Sequence, residues 1–223
     1  MRRLKLDSKL LRDISGSVLV ETTIVLPMFL SLVLGTIDVT YMFYEWALAN
    51  KAAYVGARTA VVSDPVATKI TDLSYTPSQL QLIGQPCFDN MGNNVNCPSV
   101  PPTVCTSTAC TPNTFGFDST AFTNSNGTGI FDRMKVIFPR LQPQNVTITY
   151  QTNDLGFVGQ PYIGNATQFS LPLNVTVSIT DMTHQFYFIG PLVKFFGGFF
   201  PAMSTMPTFA TTLQSEDMDS SNN

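Results

Sequence analysis

Charge is scarce in this chain of 223 residues: Asp, Glu, Lys and Arg together make up only 12% of it. Soluble globular proteins carry about 25%, so the deficit points to membrane contact. Histidine is nearly missing. His184 stands alone, with no cysteine or acidic cluster beside it in sequence, and a lone histidine is more often a core or surface residue than a catalyst. No G-x-S-x-G, H-E-x-x-H, P-loop or dinucleotide fingerprint occurs. The acids are scattered, so spacing places no glycosidase-like carboxylate pair. Close C-x-x-C spacing is absent, which argues against zinc. These absences lead us to expect no enzyme, no cofactor and no metal site. Nucleic acid is also an unexpected partner, because the body of the chain has no basic stripe for phosphates.

What charge there is lies unevenly. Residues 1–16 hold Arg2, Arg3, Lys5, Lys9 and Arg12 against Asp7 and Asp13. The remainder is acidic on balance. A basic head on an acidic body directs topology. A largely apolar run of 20 residues follows from Val18 to Ile37, with one charge, Glu21. At about 1.5 Å per residue, a helix of that length spans a hydrocarbon core of about 30 Å. Asp38 closes the run, and Tyr41, Phe43, Tyr44 and Trp46 suit an interfacial aromatic belt. The basic residues precede the run, so the amino terminus is expected in the cytoplasm and the rest outside it. A removable secretory signal fits less well. The run is long, carries an acid near its start, and shows no small-x-small site around Ile37–Trp46. A plain, unprocessed signal anchor is the other alternative.

Glu21 needs an explanation. A carboxylate inside an apolar span costs about 2.5–3.5 kcal/mol at mid-bilayer on insertion scales, and less near the edge. If the chain were cut between Gly16 and Ser17, the new α-amino group would lie four residues before Glu21. Those positions share a helix face one turn apart. The pair could then form within one chain or between neighbours. The positive end of the helix dipole favours the same carboxylate. Gly16 suits a scissile position, because a protease needs extended backbone and glycine supplies it easily. Read alone, Gly16 is a simple helix break between leader and anchor. Pro27 removes one helical hydrogen bond and is expected to kink the span.

The basic leader, Gly16 and then Ser-Val-Leu-Val-Glu21 resemble the G-x-x-x-x-E processing site of type IV prepilins. The longer string Gly16-Ser-Val-Leu-Val-Glu-Thr-Thr-Ile-Val-Leu-Pro27 resembles TadE-like pseudopilins of the Flp/Tad pilus system. So does Ala47-Leu-Ala-Asn-Lys-Ala-Ala-Tyr-Val-Gly-Ala-Arg58, a small-residue helix of the A-x-x-x-A-A-x-x-G-A-R type. Thr22 departs from the aromatic residue that often follows the glutamate in that family. The resemblance implies a minor pilin or pseudopilin, made as a precursor and cut by a prepilin peptidase in a bacterial inner membrane. It implies as partners other pilins or pseudopilins, Tad inner-membrane assembly proteins and the lipid bilayer, and a role in adhesion. The different-class alternative is an uncleaved single-pass anchor carrying an extracytoplasmic binding module.

The expected fold class is α+β: a long transmembrane helix continuing out of the membrane, then a small antiparallel-sheet domain with a disulfide-stapled loop region. Boundaries fall at 1–16 for the leader, 17–38 for the span and 39–64 for the outer helix. Ala49, Ala53, Gly56, Ala57 and Ala60 make a small-residue stripe on that outer helix, open to a neighbouring subunit or to the chain's own domain. Asp64-Pro65 is expected to end it. Residues 65–130 are rich in Pro, Asn, Ser and Thr and hold all four cysteines: Cys87, Cys97, Cys105 and Cys110. Four cysteines allow three pairings. An extracytoplasmic location favours disulfides, and the sequence-local pairing, Cys87–Cys97 and Cys105–Cys110, is expected. In 131–215, strands are expected at Val146–Tyr150, Leu173–Ile179 and Pro207–Leu213. Phe186–Phe200 reads as a short core helix between strands, or as a patch that touches membrane or a neighbour. Residues 216–223 form an acidic tail.

Overall fold

The structure is a computed structural model that describes residues 14–70, 81–82, 84–91, 93, 95–96, 101–152, 173–195, 197–198, 203–215 and 218. The described residues fall into two compact units. One lies within Met1–Tyr44 and Thr183–Ser204, the other within Glu45–Met182 and Thr205–Asn223. Helix α1, Ile14–Val62, contributes to both.

α1 is unbroken over 49 residues and passes through Pro27. Pro27 has no N–H, so the Thr23 carbonyl loses its helical donor. The hydroxyls of this stretch turn inward to the backbone. Thr22 donates to Val18 O at 2.8 Å, Thr23 to Leu19 O at 2.6 Å and Ser31 to Pro27 O at 2.6 Å. Thr36 and Thr40 do the same with Val33 and Thr36. An apolar medium requires this, because every polar group must be satisfied within the segment. Beyond the helix end, Ser63 donates to Thr59 O at 2.8 Å, and Asp64-Pro65 stops propagation as the sequence indicates.

The larger unit is an antiparallel sheet with helices on one face. Its strands are β1 (Thr103–Cys105), β2 (Cys110–Thr111), β3 (Val146–Thr152), β4 (Leu173–Ile179) and β7 (Phe209–Gln214). The order is β2-β1-β3-β4-β7. β3 and β4 pair from Val146↔Ile179 to Thr152↔Leu173, so their alternating apolar residues share one face. Val146, Ile148, Tyr150, Leu173, Val175, Val177 and Ile179 are all buried there. Burying each such aliphatic side chain stabilises the fold by about 1.5–3 kcal/mol. The opposite face carries hydroxyl pairs, Thr147 with Ser178 at 2.9 Å and Thr176 with Thr212 at 2.8 Å.

Helix α2 (Ser119–Phe122) and helix α3 (Ile130–Ile137) complete the core, burying Phe122, Ile130, Phe131 and Met134. The outer part of α1 buries Ala49, Ala52, Ala53, Ala57, Ala60 and Val61 in the same core. Gly56 marks the closest approach. A methyl group there would lie 2.5 Å from Met134 Sδ and 3.1 Å from Val177 Cγ1. Of the two uses open to the small-residue stripe, it serves the chain's own domain.

Three strands were expected, and β3, β4 and β7 are those three within two residues at each end. The loop region 65–130 differs from expectation, since β1, β2 and α2 lie inside it and join the fold. β1 pairs with β3 through Thr103↔Tyr150 and Cys105↔Ile148. Strands of three and two residues are too short to show alternation in sequence. Their hairpin is closed by a disulfide between Cys105 and Cys110, one of the expected pairs. Cys87 is disulfide-bonded as well, while Cys97 lies outside the described residues.

The smaller unit adds a lobe to α1. Strand β5 (Thr183–Gln185), helix α4 (Ile189–Phe195) and strand β6 (Met203–Thr205) form it, with β5 beside β6. A short helix does sit between two strands, as expected, but it is not a core helix. Among the described residues of Phe186–Phe200, Phe186 and Gly190 are buried, while Tyr187 and Phe188 are exposed. Two turns that are mostly apolar, with Lys194 in the last, present more surface than one small contact can cover.

Candidate functional site: the amino-terminal helix

The inner part of α1 is apolar around its full circumference. Residues 18–30 are exposed at every position, and α1 alone among the described residues is long and apolar enough to cross a membrane. A surface of this kind is not stable in water, because none of the described residues covers its leucines, valines and phenylalanines. Glu21 sits on this surface in a stripe with Val18, Thr22, Val25, Leu26 and Phe29. The spacing of three and four residues puts them on one face. A carboxylate in the middle of an exposed apolar stripe is available to a cation on a neighbouring helix or on the helix's own first turn.

The backbone at Gly16–Ser17 is already helical, since α1 starts at Ile14. Gly16 therefore does not break the helix in this structure. Cutting that bond requires the first turn to unwind, which a frayed helix end and a glycine both ease.

Asp38 lies just beyond the apolar run and is only 1% exposed. Its carboxylate accepts the backbone N–H groups of Tyr187 at 3.2 Å, Phe188 at 2.8 Å and Ile189 at 2.7 Å. Three donors satisfy a buried charge that would otherwise be costly. In sequence this residue looked like the polar end of a span. Its second role has no local signal, because its partners are about 150 residues away. The aromatic rings near it form a cluster. Tyr41 lies 6.0 Å from Tyr187 and 5.9 Å from His184, and His184 lies 4.9 Å from Phe186. His184, fully buried, is packed among these rings.

On the outer part of α1, Glu45 is buried and forms an ion pair with Arg140. At the helix end a polar cleft of about 490 Å³ opens in the sheet domain, bordered by Arg58, Ser63, Asp64, Asp118, Asn124 and Arg133. Asp118 caps α2, accepting the N–H and the hydroxyl of Thr120, each at 2.7 Å. Partial burial works against its ionised form. The hydrogen bonds from Thr120 and the N–H of Ala121 outweigh that and hold its carboxyl below the ordinary value. Sequence reading missed this cleft, whose walls come from three separate stretches. Below it, Tyr150 accepts the Val66 N–H at 3.0 Å, and burial pushes its phenol up.

Residues 16–58 match the family model described as TadE-like protein. No curated protein and no solved structure matches the chain. The matched stretch begins at Gly16, takes in Glu21, Pro27, Asp38 and the buried small-residue face, and ends at Arg58, on the rim of the cleft. The likeness to TadE-like proteins thus runs from Gly16 to Arg58, 43 of the 223 residues.

Proposed function

We propose that the chain is a minor pilin or pseudopilin that takes part in building a Tad/Flp pilus for surface attachment. It is made as a precursor in the bacterial inner membrane, with a single span, a cytoplasmic amino terminus and an extracytoplasmic sheet domain. A prepilin peptidase cuts it between Gly16 and Ser17. Other pilins or pseudopilins and Tad inner-membrane assembly proteins are its partners. No catalytic role is proposed.

The observation that carries this reading is Glu21, a carboxylate on an uncovered apolar helix stripe, four residues beyond the residue that cleavage would expose as an ammonium group. In an apolar medium such a pair attracts far more strongly than in water. The test is intact mass and amino-terminal sequencing of protein recovered from cells that hold their prepilin peptidase. A chain starting at Ser17 is expected. Recovery of chains that all retain the leader would sink the processing step.

The polar cleft favours a second reading, an uncleaved anchor that presents a binding module. Both signs of charge and several hydroxyls line the cleft, which suits a polar, hydroxyl-rich surface polymer. That reading expects an intact leader and binding of the detergent-solubilised full chain to such polymers, lost in Arg133→Ala.

A further inference from the structure

We propose that the lobe of residues 183–195 and 203–204 is a membrane-seated collar, lying in the headgroup layer at the carboxy-terminal end of the span. This rests on reading α1 as a membrane span. From Val18 the apolar run needs about 30 Å of hydrocarbon, so Asp38 comes at the boundary. Asp38 is where the lobe is tied, by three backbone N–H groups at 2.7–3.2 Å. The lobe also reaches back into the span. A methyl group at Gly35 would sit 3.8 Å from Ile189 Cγ1, so whatever surrounds residue 35 also meets Ile189.

The large hydrophobic side chains that the described lobe leaves uncovered include two aromatics, while Thr183 and Gln185 are exposed as well. Tyr187 is 52% exposed, Phe188 41% and Met203 58%. Lys194, in α4, is exposed as well. A ring with a polar tip, as in Tyr187, and a cation on a flexible stem in the same lobe match the headgroup region, where rings sit at the boundary and ammonium groups reach phosphate. Continuity with the span selects lipid as the occupant. The lobe's contact with Gly35 and Asp38 places its exposed rings at the depth where the bilayer begins.

The chain has one tryptophan, Trp46, which makes depth measurable. The full-length protein is reconstituted in phosphatidylcholine vesicles that contain lipids spin-labelled at either a shallow or a deep acyl position. Single-tryptophan variants are built on W46F. Tyr187→Trp should be quenched by the shallow label and shielded from aqueous acrylamide. Phe29→Trp should be quenched by the deep label. Adding Asp38→Ala to Tyr187→Trp should abolish the shallow-label quenching and open the indole to acrylamide.

The outcomes separate cleanly. If Phe29→Trp escapes the deep label, the anchor reading fails and takes the collar with it. If Phe29→Trp is quenched but Tyr187→Trp is open to acrylamide, the collar alone is wrong. Protection of Tyr187→Trp from both quenchers would mean that protein covers the lobe, which also overturns the proposal. Unchanged quenching in the Asp38→Ala variant would refute the carboxylate tether.

Discussion

Residues 18–30 and 49–61 belong to one helix, yet the first stretch is exposed at every position while the second buries Ala49, Ala52, Ala53, Ala57, Ala60 and Val61. The difference lies in the pattern around the helix. In the second stretch small residues occupy one face, while Lys51, Tyr54 and Arg58 stand exposed on the other. That is the one-sided arrangement of a helix packed on a core. In the first stretch apolar side chains occupy every side, and the hydroxyls fold back to carbonyls. That is the arrangement of a helix whose solvent is lipid. Small residues alone would have suggested an assembly face on the outer stretch. Since the chain's own sheet already covers them, the face that the proposed function leaves for a neighbouring helix is the inner one that carries Glu21.

The sharpest way to break this contrast is to enlarge Gly56. Gly56→Leu places a side chain where Met134 and Val177 already stand, and overpacking of this kind costs about 3 kcal/mol. Thermal unfolding of the purified full chain in detergent, followed through near-ultraviolet signals of the sheet domain, should show the loss. Membrane insertion should not change. A variant as stable as the parent would mean that the outer stretch is not a core element.

A smaller effect is expected below the helix end. Tyr150→Phe removes the acceptor of the buried Val66 N–H, which costs about 2 kcal/mol for one unsatisfied buried group. It also changes the alkaline limb of stability. The folded phenol is raised, so its contribution is complete below the ordinary value of about 10. It is lost as pH rises further, because the unfolded chain releases the proton first. Denaturant midpoints between neutral and strongly alkaline pH should fall for the parent and fall less for the variant.

Long elements were legible in the sequence, and very short or folded-back ones were not. The span announced itself by length, β3 and β4 by strict alternation, and the helix stop by Asp64-Pro65. β1 and β2 were hidden because two or three residues carry no period. Of the candidate site, Glu21 stood out because a charge in an apolar run is locally improbable. Asp38 looked equally local, but its partners are the N–H groups of Tyr187, Phe188 and Ile189, and backbone donors leave no trace in residue identity. The polar cleft was invisible for a related reason. Arg58, Asp118 and Arg133 come from separate elements that only the tertiary fold brings together.

Asp118 tests the rim of that cleft and is expected to matter less than Tyr150. Asp118→Ala removes the cap of α2, which costs about 1 kcal/mol. The carboxyl is lowered in the folded chain, so its contribution is present above the ordinary value of 3.8 and is lost as pH falls below it. Acid titration of stability should therefore be shallower in the variant than in the parent. Equal acid limbs would show that the cap does not set the ionisation of Asp118.

The smallest effect on the fold should come from Glu21→Ala, and this makes it the most informative change for function. Glu21 belongs to the stretch exposed at every position, and its removal deletes a charge from an apolar span, which eases insertion. Unfolding of the sheet domain should not shift. The proposed cleavage between Gly16 and Ser17 should continue, since the carboxylate lies beyond the scissile bond. What should fail is incorporation beside partner pilins, read by crosslinking in cells and by counting pili, because the ammonium group of a processed subunit loses its counter-charge. Glu21→Asp should restore part of that incorporation and Glu21→Gln little of it, since attraction depends on charge more than on shape. Normal pilus assembly with Glu21→Ala would leave the inner stretch as an anchor only, and assembly would then have to be sought on the sheet domain.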